Sequence, residues 1–229
     1  MRSRRQFVKI IFGFFATLIT IKYFKTVKAV ESLPYHHLSD GTFRNLPGSP
    51  KREISSGHSS RNFFRFFYKG IIKREMFDQK EIPDNIPPDH VLTQEKTLEQ
   101  FHANTDPISI TWLGHATFLI KLGKEFILTD PFLSKTAGPL GIGPNRYVPA
   151  AMKVADLPEI NTILISHNHY DHLDTTTLKK IKNKKNITVI CPLKLSKTFT
   201  SFGYKKVNEL DWYDEYKNNN FTVTAIPAY

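Results

Sequence analysis

The chain has 229 residues, 40% of them hydrophobic, with 18 Phe and a single cysteine. That apolar content excludes a mainly disordered chain, and one cysteine, Cys191, excludes an internal disulfide framework and a cysteine-rich zinc site. The formal net charge is +11, but residues 1–30 hold seven Arg and Lys and no acid, so the rest is only weakly basic and supports no nucleic-acid groove.

At roughly 100–200 residues per domain, the length fits one domain with an extension, or two small ones. The first segment, residues 1–29, opens on Arg2, Arg4 and Arg5 and runs into an apolar stretch from Phe7 to Phe24, interrupted by Lys9 and Lys22. The uncharged part is short for a bilayer span of about 20 residues and suits the apolar region of an export signal. Val27-Lys28-Ala29 then places small residues at the −3 and −1 positions of a cleavage site. Ser3-Arg4-Arg5-Gln6-Phe7-Val8-Lys9 resembles the twin-arginine export signal, Ser-Arg-Arg-x-Phe-Leu-Lys, with only Val8 departing. The resemblance implies export of a folded bacterial protein to the periplasm. An uncleaved anchor with its basic flank inside, or an ordinary secretory signal, is the other reading. Each places the remainder outside the cytoplasm.

Residues 30–106 form an N-terminal extension broken into short pieces by proline and glycine. Within it, Arg61–Arg74 (RNFFRFFYKGIIKR) mixes aromatic and basic residues. It reads either as a segment in contact with a membrane surface or as an apolar flap packed on the main domain. A helix fits Thr93–His102. From residue 107 the pattern turns to period two, in Ile108–Trp112 and Thr117–Lys121, with Leu122-Gly123-Lys124 as a turn and Glu125–Thr129 as the next strand. This predicts an antiparallel meander. Pro131–Met152 is a long loop rich in Gly and Pro, and a candidate binding loop. Asn161–Ser166 is a buried strand, and Asp174 can cap a helix through Ile181. A strand at Ile187–Cys191, a helix over Leu193–Phe202 closed by Gly203, and strands at Val207–Leu210 and Phe221–Ile226 complete the pattern. The class is α/β or α+β.

The chemistry concentrates in Ser166-His167-Asn168-His169-Tyr170-Asp171-His172, directly after a strand. A turn there brings imidazoles and a carboxylate onto a small volume. These groups are zinc ligands, and an incomplete protein shell leaves a position for water, whose pKa a bound metal lowers to about 7. A solvated polar turn is the bland alternative.

The pattern His-x-His-x-Asp-His resembles the signature of the metallo-β-lactamase superfamily. Thr111-Trp112-Leu113-Gly114-His115-Ala116-Thr117, Leu128-Thr129-Asp130-Pro131, Ile165–Leu173 and Glu209-Leu210-Asp211-Trp212 are together similar to its N-acylphosphatidylethanolamine-hydrolysing phospholipase D branch. Gly41-Thr42-Phe43-Arg44-Asn45 fits that branch's N-terminal extension. The resemblance covers about residues 35–229. It implies an αββα sandwich, two zinc ions per complete site, and a lipid or other small phosphodiester substrate attacked by a metal-activated hydroxide. It assigns His167 and His169 to one zinc, and Asp171 and His172 to the second, with Asp171 also facing the hydroxide in the catalytic role. Asp130 would sit behind the ligands and fix their imidazoles by hydrogen bonding. From spacing alone, Asp130-Pro131 reads equally as a turn that ends a strand. His115 either lines the pocket or satisfies backbone groups beneath it. Cys191 reads as a small core residue.

The family pattern also calls for a further His, a bridging Asp and a final His. No His follows His172, and the chain stops at Pro227-Ala228-Tyr229. Residues 107–229 therefore read as the first half of the catalytic domain, C-terminally incomplete as given. Two functions stay in play: a metal-dependent phosphodiesterase of phospholipase D type (with a lactonase or another hydrolase of the same fold beside it), and a truncated, inactive chain with a partial metal site.

Overall fold

The computed structural model describes residues 33–49, 87, 90–138, 141 and 143–227. The twin-arginine segment and Arg61–Arg74 lie outside the described residues. Those described fall into two compact units, one holding 33–49 and the other running from residue 87 to residue 227.

The smaller unit is a chain of turns closed by one bridge, His37 to Phe43. Asp40 accepts from both the backbone N–H and the hydroxyl of Thr42, at 2.9 and 2.6 Å. Arg44 donates through Nε to the Tyr35 carbonyl, and its guanidinium lies 3.9 Å from the centre of the Tyr35 ring.

The larger unit opens with helix α1 (Gln94–Ala103), whose first turn is capped by the Thr93 hydroxyl accepting from Lys96 N. Strands β1 (Ile108–Gly114), β2 (Thr117–Leu122) and β3 (Glu125–Thr129) follow as the antiparallel meander the period-two pattern predicts. The β2–β3 turn needs only Gly123 and Lys124 because Gly123 adopts a φ of 60°. Strands β4 (Thr162–Leu164), β5 (Thr188–Pro192) and β6 (Lys206–Leu210) then add in parallel. The result is a six-stranded mixed sheet in the order β1-β2-β3-β4-β5-β6. Helices α2 (Thr175–Lys180) and α3 (Ser196–Ser201) form the β4–β5 and β5–β6 crossovers. Parallel neighbours require crossover connections, and these two are helical, whereas the β3–β4 crossover runs through the long loop.

Helix α3 is shorter than the Leu193–Phe202 span, because Leu195, at its start, has no side chain able to cap it. Glu209 on β6 supplies the cap instead, accepting from Ser196 N at 2.6 Å. At the other end Gly203 takes a φ of 98°, Gly203 N donates to Thr200 O and Tyr204 N to Phe199 O. This is a Schellman closure, with the Phe199 and Tyr204 rings in contact at 5.8 Å.

Two further strands, β7 (Glu215–Lys217) and β8 (Thr222–Thr224), form a separate antiparallel ribbon. The strand expected over Phe221–Ile226 is thus shorter, and its partner β7 is too short and polar to show an alternating pattern.

The core lies between the sheet and its helices, around Leu113, Leu119, Leu128, Ile163, Leu178, Val189 and Phe199. Tyr204 is fully buried and donates to the Leu178 carbonyl at 2.9 Å. Cys191 is 3% exposed, and burial pushes its thiol up to about 12, so it is an inert core residue. On β1 the apolar set is the exposed one: Ile108, Ile110 and Trp112 face outward while Ser109 and Thr111 are half-buried. Among the described residues no helix is long and apolar enough to cross a membrane.

Candidate metal centre

Parallel strands expose their C-terminal ends at one edge of the sheet, and the turns that leave those ends converge there. Here β3 ends at Thr129, directly before Asp130, and β4 leads through Ile165 into Ser166 and the histidine turn. Asp130 adopts a φ of 36°, which turns the chain out of the sheet. Its N–H donates to the Leu164 carbonyl at 2.9 Å, and its own carbonyl accepts from the Thr117 hydroxyl at 2.7 Å. The residue is 7% exposed.

Both oxygens of its carboxylate are engaged. Oδ1 accepts from Ser166 N at 2.7 Å. Oδ2 accepts from the Ser166 hydroxyl at 2.7 Å and from His172 Nδ1 at 2.9 Å. A His172 ring held through Nδ1 presents Nε2 to whatever lies in front of it. The Asp-Pro turn and the orienting carboxylate are therefore one feature.

The turn itself is closed by His172 N and Leu173 N, both donating to the His169 carbonyl at 3.0 and 2.7 Å. It continues into Asp174, which caps α2 through Thr176 N at 2.9 Å. The buried Asp174 carboxylate also accepts from Ser134 N at 3.0 Å and from the Thr177 hydroxyl, so it ties the start of the long loop to the helix. The rings of His167 and His172 lie 4.0 Å apart, and those of His167 and His169 4.6 Å apart.

His115 arrives from the β1–β2 turn. A shift of register between Trp112 and Gly114, followed by positive φ at Gly114 (104°) and His115 (53°), re-aims the chain. Trp112 Nε1 holds the His115 carbonyl at 2.8 Å. The ring then reaches Asp171, with Nε2 2.9 Å from Oδ2. Ligand atoms of His115, Asp171 and His172 all lie within 4.8 Å of one another. Imidazole nitrogens and a carboxylate oxygen at that spacing suit a divalent ion.

The electrostatics favour the same use. Burial pushes the Asp171 carboxyl up, but its backbone hydrogen bond and the nearby His172 and His115 outweigh it and hold the group below its ordinary value. Burial, then the neighbouring His172 and His169, lower His167, so its ring is neutral near pH 7. An ionised carboxylate and neutral imidazoles are the forms that bind metal.

A cavity of about 750 Å³ opens beside this cluster. His115, His169 and Asp171 form one wall, and Phe132, Pro144, Tyr147 and Val148 of the long loop form another. That loop is folded back on itself by a bridge from Thr136 to Asn145. Gly143 permits the bend, since a Cβ there would overlap the Ala137 carbonyl oxygen. Arg146, which also lines the cavity, braces this wall: Nη1 donates to the Phe132 carbonyl at 2.7 Å and Nε to the Val148 carbonyl at 3.2 Å. Burial lowers its guanidinium, and the nearby Asp174 opposes the shift.

The structure thus brings together His115, Asp130, His167, His169, Asp171 and His172. Sequence reasoning missed Ser166, Asp174 as a loop anchor, and Arg146. Ser166 carried a signal in its place, between a strand end and the first His. Arg146, in an irregular loop, carried none.

Residues 125–229 match the family model of the beta-lactamase superfamily domain. The curated N-acyl-phosphatidylethanolamine-hydrolyzing phospholipase D 1 of Caenorhabditis elegans is 33% identical over 178 residues, covering 73% of this chain and 49% of that protein. The mitochondrial N-acyl-phosphatidylethanolamine-hydrolyzing phospholipase D of Saccharomyces cerevisiae is 32% identical, covering 57% of this chain and 29% of that one. A UPF0173 metal-dependent hydrolase of Brucella ovis is 30% identical, over 53% and 46% respectively. The chain spans about half the length of the first of these relatives and less of the other two.

Proposed function

We propose that this protein is a zinc-dependent hydrolase that cleaves the phosphodiester of N-acylphosphatidylethanolamine-type lipids. The observation that carries the reading is the His167–His172 turn hung on the buried Asp130, with Asp171 and His169 facing the cavity. The relatives named for that hydrolysis support the lipid substrate, and imidazole and carboxylate donors support zinc.

His167 and His169 would hold one ion, and Asp171 and His172 the other. Zinc supplies Lewis acidity toward a phosphoryl oxygen and an activated water. The chain's own residues then do the rest. His115 holds Asp171 by hydrogen bond, and Asp130 fixes the His172 ring. The apolar wall of Phe132, Pro144 and Val148 keeps bulk water from the reacting bond and receives the substrate's apolar part. In the hydrolysis, water adds to phosphorus, the bond from phosphorus to the ethanolamine oxygen breaks, and that oxygen takes up a proton. The products are phosphatidate and N-acylethanolamine. The mixed aromatic and basic segment Arg61–Arg74 supports work at a lipid surface.

The test is release of N-acylethanolamine from vesicles containing N-acylphosphatidylethanolamine, with and without zinc, by wild type and Asp171→Asn. Zinc-dependent release lost in the variant supports the reading. Release insensitive to both overturns it.

The leader supports a place outside the cytoplasm. A reporter fused after Ala29 should lose export when Arg4 and Arg5 are both changed to Lys, because the twin-arginine route reads the pair itself. Unimpaired export of the double variant would assign the leader to the general secretory route.

A further inference from the structure

We propose that Ser166 is a positioning residue of this centre, which relays the Asp130 carboxylate to Nδ1 of His167. One buried carboxylate then sets the tautomer of two imidazoles, His172 directly and His167 through a hydroxyl. The inference rests on the metal-site reading only in taking His167 as a ligand.

The number of protons available fixes the tautomer. A serine hydroxyl has one to donate and two lone pairs to accept with. An ionised carboxylate only accepts. The Ser166 Oγ lies 2.7 Å from Asp130 Oδ2, so the hydroxyl proton is committed to that contact. The same oxygen lies 2.9 Å from His167 Nδ1, and with its proton spent it can only accept there. His167 Nδ1 therefore carries the hydrogen, and Nε2 is left with the lone pair a metal needs. His172 reaches the same tautomer because its Nδ1 donates to Asp130 Oδ2 at 2.9 Å.

The relay is braced. Ser166 N donates to the other oxygen of the same carboxylate at 2.7 Å, so backbone and side chain of Ser166 are both fixed to Asp130. Asp130 is fixed in turn through Leu164 and Thr117. Ser166 is itself exposed, yet its hydroxyl is held by Asp130 and His167 and also lies 3.4 Å from His172 Nδ1, a longer contact in which it again can only accept. The resemblance assigns His167 and His172 to different metals. The relay then couples ligand orientation across the two metal positions.

The experiment uses the full chain with ¹⁵N-labelled histidine. Long-range ¹H–¹⁵N spectra at about pH 8, above the imidazole range, report which ring nitrogen carries the hydrogen in the metal-free protein. Wild type and Ser166→Thr should show His167 protonated on Nδ1, and Ser166→Ala should move the hydrogen to Nε2. Because the Ser166 N–H bond to Asp130 survives in both variants, the fold should be retained. Zinc competition titrations should then show about tenfold or greater weakening in Ser166→Ala and recovery of most of it in Ser166→Thr. An unchanged His167 tautomer in Ser166→Ala, or a threonine variant that behaves like alanine, overturns the proposal. A tautomer that switches while zinc affinity stays constant overturns instead the assignment of His167 as a ligand, and leaves the relay standing.

Discussion

Asp130 Oδ2 and His172 Nδ1 meet at 2.9 Å across 42 residues of sequence, with the Asp130 carboxylate buried at the end of β3. The carboxylate orients the His172 ring directly and reaches the His167 ring through Ser166. Asp130→Asn keeps the volume but replaces one acceptor oxygen by a donor, which must face Ser166 or His172. We expect zinc affinity to fall by about 10- to 100-fold. Unfolding free energy should fall by about 1–3 kcal/mol, as for a buried polar group left without a partner. Competition titration and urea unfolding are the measurements.

His169 separates ligand chemistry from folding. Its side chain is exposed at the cavity wall, and only its carbonyl supports the turn. His169→Ala should therefore leave the unfolding midpoint close to wild type and lower the zinc content measured by elemental analysis. Full metal content in the variant would remove His169 from the ligand set.

Asp174 has the opposite profile. It caps α2 and holds Ser134, and its hydrogen bonds run to the loop and the helix rather than to the histidine side chains. Asp174→Ala should cost about 1–3 kcal/mol in unfolding free energy, from the lost cap and the orphaned Ser134 N–H. Asp174→Asn, which keeps the capping oxygen, should recover part of it.

Glu209 gives a pH signature. Burial pushes it up, but the N–H groups of Ser196, Lys194 and Leu195 and the Ser196 side chain outweigh this, and its folded value lies below the ordinary 4.5. Its stabilisation is then complete above the unfolded value and lost as pH falls through the folded value. In Glu209→Gln the loss of stability on acidification below about pH 4.5 should be shallower than in wild type, as read from thermal midpoints across an acid series. Equal slopes would show that the cap adds nothing to the acid limb.

Gly114 tests the loop wall. Its φ is 104°, and a Cβ there would overlap Arg146 Nη2. Gly114→Ala should displace the guanidinium from the Phe132 and Val148 carbonyls and destabilise the protein by about 1–3 kcal/mol. Quenching of intrinsic fluorescence should rise if Tyr147 becomes freer at the cavity.

Those parts of the fold whose signals are local were legible in the sequence. The meander β1–β3 shows its period-two pattern and a Gly-Lys turn, α2 shows Asp174 as a cap, and the candidate ligands His167, His169, Asp171 and His172 fall within one turn. The β7 strand was not legible, because three residues, Glu215-Tyr216-Lys217, carry no period. Nor was the start of α3, whose cap comes from β6 rather than from its own flank. At the centre, the histidine turn announced itself, while Ser166 as a relay and Arg146 as a prop depend on contacts that only the folded sheet creates. Ile108, Ile110 and Trp112 make the converse point: alternation identified the strand without saying which face is covered.

The parallel pairing of β3 with β4 carries a consequence for how the protein is made. The imidazoles lie on one local turn, but the carboxylate that aims His167 and His172 sits 36 residues before Ser166, just after β3. In an unfolded chain the turn is a loose chelator, whereas a fixed set of ring nitrogens exists only once those two strands have zipped together. Metal retention against a competing chelator is then a clock for that single assembly event, readable in refolding experiments before any substrate is added.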